Sequence, residues 1–294
     1  MRLAVTATPS PLLLREHVVA LTERGIAVDA ARLLSGEAGG DESLAALIAR
    51  WFAMTPDKRR AVEAALEREG NQGTAPTMLR RPIDDHAKIF VVEGHHAAAG
   101  LPDGAGPVTA MFKYPSSFAN PGGPLALPRA DRQYDISVAL GVVVGKEAES
   151  VNAEAAGRTI AGYTLIADVT DRTSYIEEAR TKNGLLSKNL VGLSLAGPSL
   201  VLPADPKSTA LPEIWLKVNG AVKQSFKPAN LLWTAEAAIA RWSETVLNPG
   251  DIIALGGAIA TPTRLAPVPL NVGDKIEIGC TAIGTLSATV TQAA

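Results

Sequence analysis

The sequence predicts a mixed, mainly β fold preceded by a small α+β domain, and three observations predict it. The first is the stretch from Asp135 to Lys146, which begins with alternating polar and apolar residues, passes into an unbroken apolar run and stops at Gly145-Lys146. That pattern describes a strand with one partly open end and one end buried on both faces. The second is a change of composition: from Asn71 to Thr77 the chain turns to Gly, Pro, Thr and Asn, which reads as a linker and places a domain boundary near Arg80, dividing 1–80 from 81–294. The third is the pattern beyond the linker, where short apolar runs end at Gly turns without the regular strand–helix alternation of a Rossmann or TIM fold.

The elements follow in order. Val18–Thr22 and Ile26–Ala30 flank Glu23-Arg24-Gly25, a hairpin signal with Gly in the loop. Leu44, Leu47, Ile48 and Trp51 fall on one helical face, with Ser43 as N-cap. Thr55-Pro56 opens a second helix, whose inner face is Val62, Ala65 and Leu66 and whose end is Gly70. In the second half, Lys88–Val92 is a strand, and Gly100–Pro107 is a Gly/Pro-rich loop. Met111-Phe112-Lys113 leads into a turn-rich segment, Ser116–Pro124. After the central strand, Val151–Gly157 reads as a short helix, and Thr159–Val169 as a strand that delivers Asp168 at its end. Pro212–Asn219, Ile252–Leu255 and Lys275–Ile278 are further strands, with Gly220, Gly250 and Gly273 at their turns. Trp233–Val246 is the one long helix expected in this half, and the tryptophans 215, 233 and 242 read as core residues. In the central strand, Ser137, Ala139 and Gly141 point to one side, because strand side chains alternate. Either something packs closely on that side, or a site there lacks its large groups.

Composition narrows the function. At 294 residues the chain can bury a sizeable core. Its formal net charge is −2 with no block of like charge, so there is no electrostatic footprint for nucleic acid or an anionic membrane. Cys280 is the single cysteine, which excludes an intrachain disulfide and a thiolate metal cluster; it reads as a small buried hydrophobe. The apolar run at Met1–Val5 is too short for a signal peptide, and no apolar stretch is long enough to span a bilayer, so a cytoplasmic protein is expected. Gly256-Gly257 lacks the strand–loop–helix context of a phosphate cradle.

Over 88–290 the residues resemble the fumarylacetoacetate hydrolase family. The resemblance rests on Lys88-Ile89; on Pro107 and Met111-Phe112-Lys113; on Gly162-Tyr163-Thr164 through Asp168-Val169-Thr170 and Arg172; on Lys188 with Gly197-Pro198; on Val218-Asn219-Gly220 with Gln224; and on Asn248 to Ile253, Gly273-Asp274 and Ile283 to Leu286. It implies a β-sandwich and β-roll fold, a homodimer, and chemistry on a small oxo acid or β-dicarbonyl compound by C–C hydrolysis, hydration or decarboxylation. It also implies Mg²⁺ or a similar hard cation on a Glu-x-Glu pair plus a later Asp, where the ion stabilises an enolate, and a His–Glu dyad that activates water.

The residues depart from that pattern at the site. Aligned without gaps from Gly145-Lys146, the Glu-x-Glu positions fall on Ser137 and Ala139; sliding by two residues puts Asp135 and Ser137 there, which still leaves one carboxylate. The family's catalytic His falls on Ala99, its Thr-Gly-Thr substrate loop on Leu255-Gly256-Gly257, and the Asp after its site Lys on Val191. Asp168, Arg172, Lys188 and Gln224 persist. One carboxylate beside a hydroxyl is a poor Mg²⁺ site, so no cofactor is expected and Mg²⁺ binding is weak or absent.

The expected catalytic residues are therefore His95, His96, Lys188 and Asp168; the expected substrate-binding residues are Arg172, Ser137, Gln224 and Gly257; no metal ligand is assigned. His95-His96 reads as a base or as plain loop residues. Asp168 with Lys188 reads as a catalytic pair or a structural ion pair, the lysine pairing with Asp168 or sitting desolvated with a lowered pKa. Arg172 reads as a clamp for a substrate carboxylate or as a surface residue. Two functions follow: an enzyme, a C–C bond hydrolase or lyase with reduced or no metal dependence, whose cleft lies at the ends of strands carrying Ser137/Ala139, Asp168 and Lys188; or an inactive pseudoenzyme that serves as scaffold or partner subunit.

Overall fold

A computed structural model describes residues 1–9, 14–35, 42–72, 74–76, 78–92, 110–181, 185–203, 211–231, 233–256 and 268–293. The chain opens with three antiparallel strands, β1 (Arg2–Pro9), β2 (Leu14–Leu21) and β3 (Ala27–Asp29). The sequence shows the β2–β3 hairpin but not β1. Three helices follow, α1 (Ala30–Ser35), α2 (Leu44–Ala53) and α3 (Pro56–Glu69). Ser43 caps α2 by accepting from the Ala46 N–H, and Thr55 caps α3 from the Lys58 N–H with Pro56 in the first turn. The spacing of Leu44, Leu47, Ile48 and Trp51 does bury one face of α2; on α3 Leu66 is buried while Val62 and Ala65 are half-buried. Arg59 of α3 ties the two helices, its guanidinium donating to the Trp51 and Phe52 carbonyls in the last turn of α2.

The rest of the chain holds β4 (Leu79–Arg80), β5 (Ile89–Val92), β6 (Ala110–Lys113), β7 (Phe118–Ala119), β8 (Leu125–Leu127), β9 (Tyr134–Val144), α4 (Ala153–Ala156) and β10 (Ile160–Asp171). Then come α5 (Arg172–Thr181), β11 (Ser194–Val201), β12 (Ile214–Val218), β13 (Ala221–Phe226), α6 (Ala235–Trp242), β14 (Ile252–Gly256), β15 (Val268–Leu270), β16 (Lys275–Cys280) and β17 (Gly284–Gln292). The expected helix at 233–246 is shorter: α6 stops at Trp242 and a 3₁₀ turn covers Ser243–Thr245. Helix α5 has no apolar stripe and was not expected; its start is fixed by Asp171, whose carboxylate accepts from the Ser174 N–H and Oγ.

The described strands form two sheets. The larger runs β3-β2-β1-β11-β10-β9-β14-β5-β6, with β4 on β1, β7 on β11 and β15 on β9; the smaller runs β13-β12-β16-β17-β8. The fold is thus mainly β with mixed sheets. β1 extends the large sheet beside β11, pairing Leu3 with Leu200, so the sheet runs without a break across the position of the linker.

Period-two alternation explains why β9 reads as unbroken apolar sequence. Its Ile136, Val138, Leu140, Val142 and Val144 enter one core with Leu165, Ile214, Ile278 and Leu286, between the two sheets. Its Ala139 and Val143 enter a second core with Ile166, Ile252, Leu47 and Trp51, under the N-terminal helices. The small residues on that second face have a graded explanation. A Cβ on Gly141 would lie 2.7 Å from Thr164 Cγ2, and one on Gly145 2.7 Å from Phe52 Cδ2, so close packing sets that end of the strand. Toward Ser137 the apolar packing gives way to charge.

Candidate active site

Asp168 on β10 stands opposite Ser137 on β9, and residues opposite each other in an antiparallel pair share a face. Two lysines converge on the carboxylate. Lys113, the last residue of β6, lies opposite Ile89 and so projects onto the same face; its Nζ donates to Asp168 Oδ1 at 2.9 Å. Lys188 donates to Oδ2 at 2.6 Å. Lys188 lies not on a strand, as expected, but on a 3₁₀ turn, Leu186–Lys188, between α5 and β11. That turn is pinned by Glu178 of α5, which accepts from the Leu186 and Ser187 N–H groups, and by Lys113, whose Nζ also donates to the Lys188 carbonyl.

All three side chains are buried, Lys113 at 0%, Asp168 at 2% and Lys188 at 7% exposure. Burial alone would raise the Asp168 carboxyl, but the two ammonium groups overcome it and hold the pKa at about 2. Lys113 is held below the ordinary lysine value, mainly by burial, with Asp168 offsetting part of the effect. Among the described residues, two lysines thus share the carboxylate of Asp168.

A second pair lies two residues along β9, on the same face. Arg172, at the start of α5, donates from Nε to Asp135 Oδ2 at 2.6 Å, and its Nη2 reaches the same oxygen. Its guanidinium lies 4.9 Å from the Tyr175 ring centroid, and Lys188 Nζ lies 5.9 Å from the same ring. Burial raises the Asp135 carboxyl, with Arg172 opposing. Asp135 and Arg172 line a cavity of ≈ 350 Å³ together with Arg132, Tyr134, Leu270 and Asn271. Arg132 is tied to Ser174 Oγ at 2.5 Å and lies 3.5 Å from Asp171 Oδ2.

The structure therefore brings together Asp168, Lys188, Ser137 and Arg172 of the sequence-predicted set. Gln224 is buried, and its amide accepts from the Val138 N–H at 3.2 Å and lies 3.5 Å from the Ile136 carbonyl. It fills the gap where the neighbour of β9 changes from β14, which pairs up to Ala139, to β15, which starts at Ile136. His95, His96 and Gly257 lie outside the described residues. Lys113 is the member the sequence reading missed. It stands in the Phe112-Lys113 block that carried the resemblance, but nothing local says that its ammonium turns inward.

These donors do not fit a hard divalent cation. Both oxygens of Asp168 are bonded to ammonium groups, the residue opposite is a serine, the next on that face is Ala139, and the nearest acid on the strand is paired with Arg172. Among the described residues, no group of three His, Cys, Asp or Glu side chains comes together.

Comparison with known proteins agrees with this architecture. The pattern of the fumarylacetoacetate (FAA) hydrolase C-terminal family matches residues 89–291. An uncharacterised protein of Pyrococcus abyssi is 34% identical over 221 residues, covering 71% of this chain and 95% of its own. The mitochondrial oxaloacetate tautomerase of Mus musculus is 33% identical over 177 residues, covering 58% of this chain and 75% of its own. The crystal structure of maleylpyruvate hydrolase from Sphingobium sp. SYK-6, in complex with manganese(II) and pyruvate, superposes over 100% of both chains with a TM-score of 0.74 at 22% identity, a likeness of fold. With the family's pattern running from β5 into β17 and its fold reproduced around Asp168, the chain belongs to the fumarylacetoacetate hydrolase family.

Proposed function

We propose that this protein is an enzyme that forms an enolate from a small oxo acid or β-dicarbonyl compound, as a C–C bond hydrolase or lyase, without a tightly bound divalent metal. The observation that carries this reading is the Lys113–Asp168–Lys188 cluster, which sets two lysines on one carboxylate where the family resemblance implies a cation. In the common step of such reactions, the electron pair of a broken C–C or C–H bond moves onto a carbonyl oxygen. Lys188 is the cation for that oxygen; its charge is held in place by Asp168 and needs no reorganisation as the anion develops. Arg172, which lines the ≈ 350 Å³ cavity with Asp135, holds the substrate carboxylate, and Ser137 stands opposite Asp168 on the neighbouring strand. Proton transfer falls to His95 or His96. Burial of Lys113 excludes water behind the cluster.

The Sphingobium hydrolase carries manganese(II) with pyruvate, and the proposal differs from it at the metal. The test is turnover of acylpyruvates and oxaloacetate with and without EDTA, alongside calorimetric titration with Mn²⁺. Turnover that survives EDTA, with no Mn²⁺ bound at one per chain, is the expected result. Tight stoichiometric Mn²⁺ binding overturns it.

A second reading is favoured by the full engagement of Asp168, which leaves that carboxylate no proton-accepting role: an inactive scaffold that retains the fold and a dimer surface. Leu185, Leu186 and Val191 are exposed around the Lys188 turn, and a homodimer covering them fits either reading. Inactivity toward every substrate tried, with an unchanged dimer by light scattering, supports the scaffold.

A further inference from the structure

The two oxygens of Asp135 stand in different situations. Oδ2 accepts from Arg172 Nε at 2.6 Å and meets Nη2 as well. Oδ1 takes no hydrogen bond among the described residues, and it is not one of the fully buried side-chain atoms left without a partner. An oxygen with neither a partner nor complete burial is reached by solvent, and Asp135 lines the ≈ 350 Å³ cavity. The Asp135 side chain is 9% exposed, so this open oxygen belongs to an otherwise buried group. Arg172 lines the same cavity, and its Nη1 has no hydrogen-bond partner among the described residues. One acceptor and one donor of a single ion pair are therefore left over at one cavity.

We infer that Asp135 Oδ1 is the base that takes the proton from the carbon beside the substrate carbonyl, which rests on the reading of the site as one for oxo acids and deepens it. A histidine serves proton transfer to and from water in C–C cleavage, and the C–H bond calls for a base of its own. Arg172 Nη1 donates to the substrate carboxylate. The C–H bond breaks, its proton forms an O–H bond with Asp135 Oδ1, and its electron pair moves onto the carbonyl oxygen beside Lys188. Reversal returns the oxo acid, now carrying a solvent proton wherever the carboxyl has exchanged in between. Asp168 cannot take this part, because both its oxygens are bonded to lysines. The two Arg172 bonds on Oδ2 fix the Asp135 carboxylate before the substrate arrives. Asp135 lies two residues along β9 from Ser137, about 6.5 Å of strand, and Ser137 stands opposite Asp168. Burial raises the Asp135 carboxyl, with Arg172 and Lys188 opposing, and a raised value makes the ionised group a better proton acceptor.

The test is exchange of the pyruvate methyl protons for deuterium in D₂O, followed by proton NMR on the full chain, with pyruvate binding measured by calorimetry on the same samples. The unsubstituted protein is expected to bind pyruvate and to speed exchange above that in buffer. Asp135→Asn is expected to bind pyruvate at least as tightly and to exchange roughly 100- to 10,000-fold more slowly, the range for loss of a general base. Asp135→Glu keeps a carboxylate on a longer stem and is expected to retain more exchange than Asp135→Asn. A purely structural Asp135 would instead lose binding and exchange together. Failure of the unsubstituted protein to bind pyruvate ends the oxo-acid reading and the inference with it. Binding without exchange, undiminished exchange in Asp135→Asn, loss of binding there in step with exchange, or no advantage of Asp135→Glu over Asp135→Asn overturns the inference alone.

Discussion

Asp168 and Asp135 face the same side of the large sheet and are almost equally buried, yet their carboxyl groups are displaced in opposite directions. Asp168 is held at about 2, and Asp135 is raised above its ordinary value. Burial acts upward on both. What separates them is the placement of cations: two buried ammonium groups, each bonded to its own oxygen of Asp168, against one half-exposed guanidinium that meets a single oxygen of Asp135, with Lys188 acting from farther off and the Asp168 charge opposing. Burial sets the cost of a charge, and the count of well-placed partners decides whether that cost is met.

The largest break in this comparison is Asp168→Asn. It leaves two buried ammonium groups without their anion and is expected to remove about 3–5 kcal/mol of unfolding free energy, read from urea melts. A loss below about 1 kcal/mol would mean that the lysines rehydrate and that the cluster is not a unit. Lys113→Met is milder. Lys188 still pairs with Asp168, but the Lys188 carbonyl loses its donor, and a loss of about 1–3 kcal/mol is expected.

Acid titration comes next in size. Asp168 has a lower pKa folded than unfolded, so its contribution is present in full above its ordinary value of 3.8 and is lost as pH falls through about 2. The difference corresponds to about 2 kcal/mol. Asp135 has the opposite sign: its raised carboxyl takes up a proton sooner in the folded state, so it favours the fold as pH falls. Stability measured between pH 2 and 4 is therefore expected to drop less steeply with falling pH in Asp168→Asn than in the unsubstituted protein; parallel curves would remove Asp168 as the source of the acid limb.

The same contrast marks how far sequence carries. The β9 strand is legible because its alternation is written in consecutive residues, and helix α2 because Ser43 and the Leu44–Trp51 face are local. β1 and the β11 edge it covers are less so, since their pairing joins residues about two hundred positions apart. α5 escaped because its signal is a cap, Asp171, rather than a stripe. At the site, the absence of the two glutamates is plain from Ser137 and Ala139, whereas the arrival of Lys113 from another strand is a tertiary fact. Gln224 shows the converse case: a residue kept in family position has its described bonds with the β9 backbone.

The smallest stability effect belongs to Asp135→Asn, and it separates the two acids most cleanly. The Arg172 side chain is 35% exposed, so losing its partner leaves it able to hydrate, and the change in unfolding free energy is expected to stay within about 1 kcal/mol. Ligand binding is where the substitution tells. With no carboxylate competing for its Nε and Nη2 groups, the guanidinium is open to an incoming anion, so pyruvate, used as a probe, is expected to bind more tightly to Asp135→Asn than to the unsubstituted protein. Arg172→Lys removes the planar fork while keeping the charge, and is expected to weaken the same probe. If Asp135→Asn instead weakens pyruvate or costs several kcal/mol, the pair is a structural unit like the one at Asp168, and the contrast between the two acids disappears.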